Sequence, residues 1–398
     1  MDLFEKLRPC ELAAEAMEKG IYPYFHALET RQDIQVVMEG KRRIMLGSNN
    51  YLGLTNNPEV IEAGKKALDQ YGSGCSGSRF LNGTLKMHLE LEEELADFLH
   101  KEAVVTFPSG FQSNLGIISA LAGRHDYILC DRENHASIYD GCRLSQATML
   151  RYRHGDMADL EKKLKEIPDT SGCLKVKDVL HGSGWAEKAD QIRIYSGAKY
   201  QTVDQAPAGM VCAVTGLTAA HPGDGLGAEA RSEGLEDEID VYMGTFSKSL
   251  ASLGGYMASS KFIADHVRHN SRPFIFAASI PPASCACALA SLRVLKKEPW
   301  RVQRLKDISN YVQKGLTERA IPHKLTSVPI IPIYTHDPEN TLIMAKRAYD
   351  GGVYVNPVLP PATPMTECLL RTSYMATHTD SILDEAMDIL GSILEGSK

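Results

Sequence analysis

The sequence predicts an α/β fold with a mostly parallel central sheet flanked by helices, together with a smaller α+β domain at the C-terminal end. Helical periodicity dominates residues 56–100, and short apolar runs then alternate with helical segments. Such alternation is typical of a mostly parallel sheet with helices on both faces. After about residue 285 the pattern changes to long helix, short strands and a closing helix. This order favours a distinct α+β unit.

The elements follow in order along the chain. Apolar residues at helical spacing in 1–20, broken by the proline of YPYF, predict a helical arm. The helical patterns PEVIEAGKKALDQYG and KMHLELEEELADFLH flank a glycine-rich loop, and AVVTF and YILC are the first short strands. We therefore expect an arm over 1–45, a large domain over 46–285 and a C-terminal domain over 286–398.

Composition excludes several function classes. The 398 residues, 43% hydrophobic and 23% charged, suffice for a two-domain enzyme. A net charge of −7 argues against a nucleic-acid-binding protein. The sequence has no signal peptide pattern and no apolar run long enough to span a bilayer. Peripheral contact with a membrane remains an alternative. Nine cysteines without CxxC spacing predict a reduced, cytoplasmic and metal-free protein.

The segment MGTFSKSLASLGGYMA, residues 243–258, carries the sharpest chemical signal. Lys248 follows a predicted strand among small hydroxyl residues, and a Gly-Gly pair then allows close backbone approach. Burial lowers the pKa of a lysine and makes its amine a nucleophile for an aldehyde. A surface lysine in a serine-rich turn is the alternative.

Three further positions suit the recognition of an anionic, aromatic ligand. In TFPSGFQSN the N–H groups of Gly110 and Phe111 open a predicted helix, where they can bind a phosphate. His135 in DRENHASIYDG lies just after a strand, although a core or surface histidine is the ordinary interpretation. Arg371 in LLRTSYMATHT interrupts an apolar run, which suits a carboxylate clamp or a structural salt bridge.

The chain resembles the α-oxoamine synthases over residues 1–178 and 234–398. The resemblance rests on the order of the motifs above and on three further segments, SNNYLGL, YGSGCSGSRFLNGTL and NSRPFIF. These are fold-type I enzymes that use pyridoxal 5'-phosphate (PLP). The family includes serine palmitoyltransferase, glycine C-acetyltransferase, 8-amino-7-oxononanoate synthase and 5-aminolevulinate synthase. The resemblance implies a homodimer in which each active site borrows residues from the neighbouring chain.

The resemblance also implies a role for each matching residue. Lys248 holds PLP as a Schiff base, and His135 stacks on its pyridine ring. Asn49 and Arg371 bind the amino-acid substrate. The expected phosphate-binding residues are Ser109, Gly110, Phe111, Thr245, Ser247 and Ser279. Because Ala277 stands where the family often has a hydroxyl residue, phosphate binding across the dimer rests either on Ser279 or on fewer contacts.

The resemblance further implies the reaction. The amino acid displaces Lys248, and the freed amine removes the proton from its Cα. The resulting carbanion attacks an acyl-CoA thioester, CoA leaves, and in all but the acetyltransferase branch the original carboxylate is lost as CO2. PLP acts as the electron sink throughout.

Residues 179–233 depart from the family pattern. The family has Val-Asp-(Asp/Glu)-Ala-His there, whereas this chain has VDQAP at 203–207. Asp204 can pair with the pyridinium nitrogen, but Pro207 replaces the histidine. The alternative register at His221 has Thr218 where the acid belongs. We therefore assign the acid to Asp204, and either divergence or a frame slip in the recorded sequence explains the segment.

Three short sequence segments favour one branch of the family. YPYF, YGSGCSGSRFLNGTL and VNPVLPPA resemble the bacterial serine palmitoyltransferases of sphingolipid biosynthesis. The expected substrates are therefore L-serine and a long-chain acyl-CoA. Glycine C-acetyltransferase and 8-amino-7-oxononanoate synthase are the alternatives, followed by a catalytically impaired partner subunit and by an aminotransferase.

Overall fold

A computed structural model describes Phe4, Leu7, residues 10–167 and 239–395, together with the backbone of short strands between residues 174 and 215. The helices in these ranges are α1 (Glu11–Glu18), α2 (Pro58–Tyr71), α3 (Lys86–Leu99), α4 (Gly110–Leu121), α5 (Ala136–Ser145), α6 (Met157–Lys165), α7 (Lys261–Asn270), α8 (Arg272–Ile275), α9 (Pro282–Lys297), α10 (Trp300–Glu318), α11 (Pro338–Gly351) and α12 (Asp380–Glu395).

The described strands alternate with these helices and pair into small sheets. They are β1 (Gln35–Met38), β2 (Lys41–Met45), β3 (Ala103–Phe107), β4 (Tyr127–Asp131), β5 (Thr148–Tyr152), β6 (Leu174–Lys175), β7 (Val179–Gly182), β8 (Trp185–Lys188), β9 (Gln191–Ser196), β10 (Lys199–Val203), β11 (Gln205–Ala206), β12 (Ala213–Thr215), β13 (Val241–Thr245), β14 (Gly255–Ser259), β15 (Ile330–His336), β16 (Val353–Tyr354), β17 (Asn356–Val358) and β18 (Cys368–Ser373).

Local sequence explains where the helices begin and end. The side chain of Asn57 accepts hydrogen bonds from the N–H groups of Glu59 and Val60, and Pro58 occupies the first turn of α2.

The predicted helices α2 and α3 and strands β3 and β4 are present. Of the predicted helical arm, α1 covers Glu11–Glu18, and most of residues 1–9 lie outside the described ranges. The helix after residue 285 divides at Pro299, because proline cannot donate a helical hydrogen bond.

The chain divides into two compact units, each of which is described by itself. The first unit contains Met1–Gly74, Thr245–Gly254 and Ile280–Lys398, and the second contains Cys75–Gly244 and Gly255–Ser279. The domain boundaries expected at residues 45 and 285 stay a prediction.

The first unit has a core between a small sheet and α10, α11 and α12. β18 lies between β15 and β17 and is antiparallel to both, with Arg371 opposite Pro332 and Asn356. Side chains such as Ile333, Leu370 and Val312 are buried in this core. Because neighbouring residues on a strand face opposite sides, burial of Leu370 directs Arg371 to the other face of the sheet.

The second unit has its own core around β3 and β14. These strands are antiparallel, from Gly255 opposite Phe107 to Ser259 opposite Ala103, and β13 lies on the other side of β14. β4 and β5 are parallel. The core of this unit is formed by Val105, Phe107, Ile117, Met257, Ala264, Val267 and Phe274. Among the described helices, none is long and apolar enough to cross a lipid bilayer.

Candidate active site

Lys248 lies in a hydrogen-bonded loop between β13 and β14. The loop is anchored by Phe246, whose side chain is fully buried. The N–H of Phe246 donates to the carbonyl of Gly254 at 2.9 Å, and the N–H of Ser252 donates to the carbonyl of Phe246 at 3.1 Å. Because these bonds close the loop at its base, Lys248 is carried on a defined turn.

The far side of this loop is also fixed. Ala251 has φ of +50°, and its N–H donates to the carbonyl of Lys248 at 3.2 Å. The hydroxyl of Ser252 donates to the carbonyl of Ser284 at 2.6 Å. The loop containing Lys248 is therefore tied to the start of α9.

The side chain of Lys248 is exposed. The prediction of a buried amine is therefore wrong for the described chain. The reason is that β13 ends at Thr245, so Lys248 lies on the surface turn that follows the strand rather than within the strand. Its position directly after a strand agrees with the sequence pattern.

Two hydroxyl groups flank the lysine loop. Thr245 Oγ1 donates to the carbonyl of Gly254 at 3.2 Å and lies 2.9 Å from Ser247 Oγ. Since the proton of Thr245 is used on Gly254, Ser247 is the donor between the two hydroxyls. The predicted role of Thr245 and Ser247 in phosphate binding stays a prediction.

In the second unit, the start of α4 offers an anion site. Ser109 is the N-cap, and its hydroxyl accepts a hydrogen bond from the N–H of Gln112 at 3.2 Å. The N–H of Ser113 donates to the carbonyl of Ser109. These two bonds leave the N–H groups of Gly110 and Phe111 as the donors of the first turn, where the helix dipole favours an anion.

Glycine is required where β14 passes the start of α4. A Cβ atom on Gly255 would lie 2.4 Å from Ser113 Oγ and 2.9 Å from Gly110 Cα. These distances are too short for real contacts, so a side chain at Gly255 would push α4 away. The close backbone approach that the Gly-Gly pair suggests is present at Gly255.

His135 is the N-cap of α5 and has an exposed ring. Its Nδ1 atom accepts a hydrogen bond from the N–H of Ser137 at 3.2 Å and lies 2.7 Å from Ser137 Oγ. The ring of Phe111 approaches edge-on, with centroids 6.4 Å apart and planes at 74°. A face of His135 is therefore held in place and open to a planar ligand.

Ser279 is buried at the end of the second unit. Its N–H and its hydroxyl both donate to the carbonyl of Gly77, at 3.0 and 3.2 Å. Ser279 thus fixes the glycine-rich loop of residues 72–84, and Gly83 must lack a side chain because a Cβ there would collide with Gly77 and Ser279. Contact of Ser279 with a phosphate across a dimer stays a prediction.

In the first unit, Arg371 and Asn49 are in direct contact. Arg371 Nη2 donates to Asn49 Oδ1 at 3.0 Å and to the hydroxyl oxygen of Tyr51 at 2.9 Å. Tyr51 in turn donates to Asn49 Oδ1 at 3.1 Å. In the described ranges the guanidinium of Arg371 contacts these neutral groups and forms no ion pair with a carboxylate.

Sequence reasoning missed Tyr51 and Ser137. Tyr51 lies in SNNYLGL beside Asn49, so the motif itself contained the signal. Ser137 follows His135 within DRENHASIYDG, where a small hydroxyl residue at the start of a helix is an ordinary capping residue. Neither pattern alone indicates a hydrogen bond to a predicted site residue.

The acid expected beside the pyridinium nitrogen is Asp204, which lies outside the described residues, as do Pro207, Thr218 and His221. Within the described ranges, no group of three or more His, Cys, Asp or Glu side chains could hold a metal ion.

Each unit contains groups that suit part of PLP. In the second unit the N–H groups at the start of α4 suit its phosphate and the open face of His135 suits its ring. In the first unit the exposed amine of Lys248 suits its aldehyde. These residues are divided between the units: Lys248, Thr245, Ser247, Asn49 and Arg371 belong to the first, and Ser109, Gly110, Phe111, His135 and Ser279 belong to the second.

Comparison with known proteins points to one family. The sequence matches the family described as aminotransferase class I and II over residues 41–193 and 200–390. A serine palmitoyltransferase of Sphingobacterium spiritivorum is 43% identical, with 97% of this chain and 95% of that protein covered. An 8-amino-7-oxononanoate synthase of Thermoanaerobacter pseudethanolicus is 32% identical, with 95% and 94% covered.

Solved structures agree with the sequence matches. A serine palmitoyltransferase of Sphingomonas wittichii superposes with a TM-score of 0.81 at 30% identity, covering 100% of this chain and 99% of that chain. A serine palmitoyltransferase of S. paucimobilis with a bound PLP-myriocin aldimine gives the same TM-score and identity and the same coverage. The predicted fold class is confirmed. The chain therefore belongs to the aminotransferase class I and II family and, within it, to the α-oxoamine synthases.

Proposed function

We propose that this chain is a PLP-dependent acyltransferase that condenses L-serine with a long-chain acyl-CoA. A carbon–carbon bond forms between Cα of serine and the thioester carbonyl carbon, and the carbon–sulfur bond breaks to release CoA. The serine carboxylate leaves as CO2, and the product is an aminoketone. Serine palmitoyltransferases 43% identical over nearly the whole chain support this substrate pair.

The observation that carries the proposal is the contact of Arg371 with Asn49 and Tyr51. A guanidinium that is half-buried and bonded only to neutral groups among the described residues retains its charge for an anion. A carboxylate can accept two parallel N–H bonds from such a group. Arg371 therefore suits the carboxylate of a free amino acid.

Lys248 would carry the covalent chemistry. Its amine would hold the PLP aldehyde, and once displaced by serine it would take the proton from the serine Cα as general base. PLP, when bound, supplies the electron sink that makes this proton acidic. The closed loop at Phe246 holds the backbone of Lys248, from which the amine would reach PLP in both roles.

The remaining residues would orient the reacting groups. The N–H groups of Gly110 and Phe111 would hold the phosphate, assisted by Ser109, Thr245, Ser247 and, across the proposed dimer, Ser279. His135 would stack on the ring of PLP, and Asp204 would pair with its nitrogen. Together these contacts would orient the cofactor, and its orientation would decide which bond at Cα is broken.

The proposal includes a homodimer in the cytoplasm. The family resemblance implies a homodimer, and Ser279 is our candidate for a phosphate contact across it. None of the described cysteines forms a disulfide with another described residue, and most are buried, which supports a reducing compartment. Sedimentation of the purified protein with and without PLP tests the dimer.

A substrate matrix tests the function. Purified protein is assayed with serine, glycine and alanine, each combined with a short and a long acyl-CoA, while free thiol and CO2 are measured. We expect serine with the long acyl-CoA to be the best pair. Glycine with acetyl-CoA and no CO2 would instead indicate glycine C-acetyltransferase, and a preference for alanine would indicate 8-amino-7-oxononanoate synthase.

Two further outcomes would contradict the proposal outright. A colourless protein that ignores all three amino acids would indicate a catalytically impaired partner subunit. A keto-acid product formed without acyl-CoA would indicate an aminotransferase. The visible absorbance of bound PLP, recorded before and after serine is added, separates the first of these outcomes from slow turnover.

A further inference from the structure

We infer that Asn114 and Ser137 form a hydrogen-bond relay that fixes the proton of His135 on Nε2. The three residues lie within the second unit, on α4, α5 and the N-cap of α5. Asn114 Nδ2 lies 2.8 Å from Ser137 Oγ, and Ser137 Oγ lies 2.7 Å from His135 Nδ1. The role of this relay in catalysis rests on the proposed function.

The direction of each bond follows from one backbone group. The N–H of Ser137 can only donate, and it points at His135 Nδ1 at 3.2 Å. Nδ1 must therefore be the unprotonated nitrogen, and in the neutral ring the proton lies on Nε2. The short contact between Nδ1 and Ser137 Oγ then uses the hydroxyl proton of Ser137. Since that proton is used, Asn114 must donate its amide to Ser137.

The surroundings keep the relay in place. The side chain of Ser137 is 1% exposed, so water does not compete for its hydroxyl. A Cβ atom on Gly141 would lie 3.0 Å from the carbonyl oxygen of Asn114 and from Ile118 Cδ1. Gly141 thus allows α5 to pack closely on α4. The relay joins the helix that would bind phosphate to the residue that would stack on the ring.

Asn114 and Ser137 are positioning residues for His135. With Nδ1 accepting two bonds, the ring cannot rotate or exchange tautomers without losing both. The group that His135 presents to a ligand is then Nε2–H, a donor of fixed direction. A fixed donor beside the cofactor favours one orientation of the substrate.

Two substitutions of Asn114 separate a relay from simple packing. Asn114→Ala removes the amide that donates to Ser137. The Ser137 hydroxyl can still donate to His135, but its orientation is less restricted. Asn114→Asp keeps the shape but supplies an acceptor, so the hydroxyl of Ser137 turns to the new carboxylate. His135 Nδ1 then loses the bond from the Ser137 hydroxyl and accepts only from the N–H of Ser137, so Nε2 still carries the proton but the ring is held less firmly. Ser119→Ala on the same helix is the control, since among the described residues the Ser119 hydroxyl bonds only the carbonyl of Leu115.

The first readout is independent of the cofactor. Nitrogen NMR of ¹⁵N-histidine-labelled protein reports which ring nitrogen carries the proton, and loss of a signal in His135→Gln assigns it among the 13 histidines. We expect the Nε2–H form in all three proteins, and the same Nδ1 chemical shift in the wild type and in Ser119→Ala. In Asn114→Asp the Nδ1 signal should move, because Nδ1 loses the bond from the Ser137 hydroxyl. An unchanged Nδ1 signal in Asn114→Asp would overturn the relay.

The second readout is kinetic. For Ser137→Ala and Asn114→Ala we expect kcat/KM for serine to fall about 2- to 10-fold, the worth of one neutral hydrogen bond, with normal PLP content. Asn114→Asp should fall further, and Ser137→Thr should recover part of the activity. Equal losses in Asn114→Ala and Asn114→Asp, accompanied by a lower Tm, would overturn the relay. Absence of any serine response in the wild type would instead refute the proposed function and leave the NMR result standing.

Discussion

The guanidinium of Arg371 lies 2.9 Å from the hydroxyl oxygen of Tyr51. Tyr51 also donates to Asn49 Oδ1, so the tyrosine joins the arginine to the asparagine that the sequence pairs with it. The contact connects β18, which carries Arg371, to the SNNYLGL segment near the start of the chain. It therefore defines a cluster of three polar side chains within the first unit, which we propose binds the amino-acid substrate.

Replacing Arg371 tests the carboxylate clamp. Arg371→Lys keeps the charge but loses the planar pair of donors, and Arg371→Ala loses both. We expect the Kd for serine to rise about 10- to 100-fold in Arg371→Ala, since a hydrogen bond to a charged group contributes about 1.5–3 kcal/mol. Arg371→Lys should lie between this variant and the wild type. The Kd is measured by titrating serine and following the cofactor absorbance. An unchanged Kd in Arg371→Ala would contradict the role of Arg371 as a carboxylate clamp.

Tyr51→Phe tests the residue that sequence reasoning missed. The change removes one neutral hydrogen bond to Arg371, so the KM for serine should rise about 2- to 10-fold. The matched control is Tyr311→Phe, because the Tyr311 hydroxyl also forms hydrogen bonds, in its case to both oxygens of Asp384 on α12. Steady-state kinetics should show no change in KM for this control. A larger effect in Tyr311→Phe than in Tyr51→Phe would argue against the cluster.

Gly255→Ala tests the packing of β14 on α4. The new methyl group would collide with Ser113 Oγ and Gly110 Cα, so α4 must shift. Overpacking of this kind costs about 1–3 kcal/mol of unfolding free energy, and displacement of α4 should also weaken PLP binding. Gly74→Ala is the control, since a Cβ there meets no atom within 4 Å. Chemical denaturation and PLP titration of both variants measure the effect, and equal behaviour would contradict the account.

Because His378 is buried, we expect the free energy of unfolding to depend on pH. Burial lowers the pKa of His378 to about 4, and its side chain is 1% exposed. The unfolded chain binds the proton at about pH 6.5, before the folded chain does, so the native state loses stability as pH falls from about 6.5 to about 4. The loss approaches about 3 kcal/mol at the lower end. Above pH 6.5 this contribution is fully present.

His378→Gln removes this titration while leaving an acceptor for the N–H of Met375, which Nδ1 of His378 accepts at 2.9 Å. Unfolding free energies of the two proteins, measured at intervals from pH 4 to 7.5, give the difference. We expect the difference to shrink as pH falls. A difference that stays constant over this range would show that His378 does not titrate as described.

Much of the site could be predicted because its signals are local. Gly110 and Phe111 start a helix after a buried strand, and Lys248 directly follows another strand, so spacing alone placed them. The contact of Asn49 with Arg371 joins distant parts of the sequence. Only the family resemblance indicated it.

The exposure of Lys248 and the relay behind His135 could not be predicted in this way. Exposure depends on where a strand ends, and β13 ends at Thr245, so Lys248 falls on the turn. The relay depends on the packing of α5 against α4 at Gly141, which no pattern in either helix shows. Tertiary packing decides both.

The central claim is that the amine of Lys248 binds PLP covalently. Purified protein is incubated with PLP, reduced with borohydride, digested and examined by mass spectrometry, with Lys248→Ala and Lys261→Ala treated in parallel. We expect reduced PLP on the peptide that contains Lys248, its loss in Lys248→Ala and its retention in Lys261→Ala. Stoichiometric labelling of a different lysine, or none in the wild type, would contradict the account.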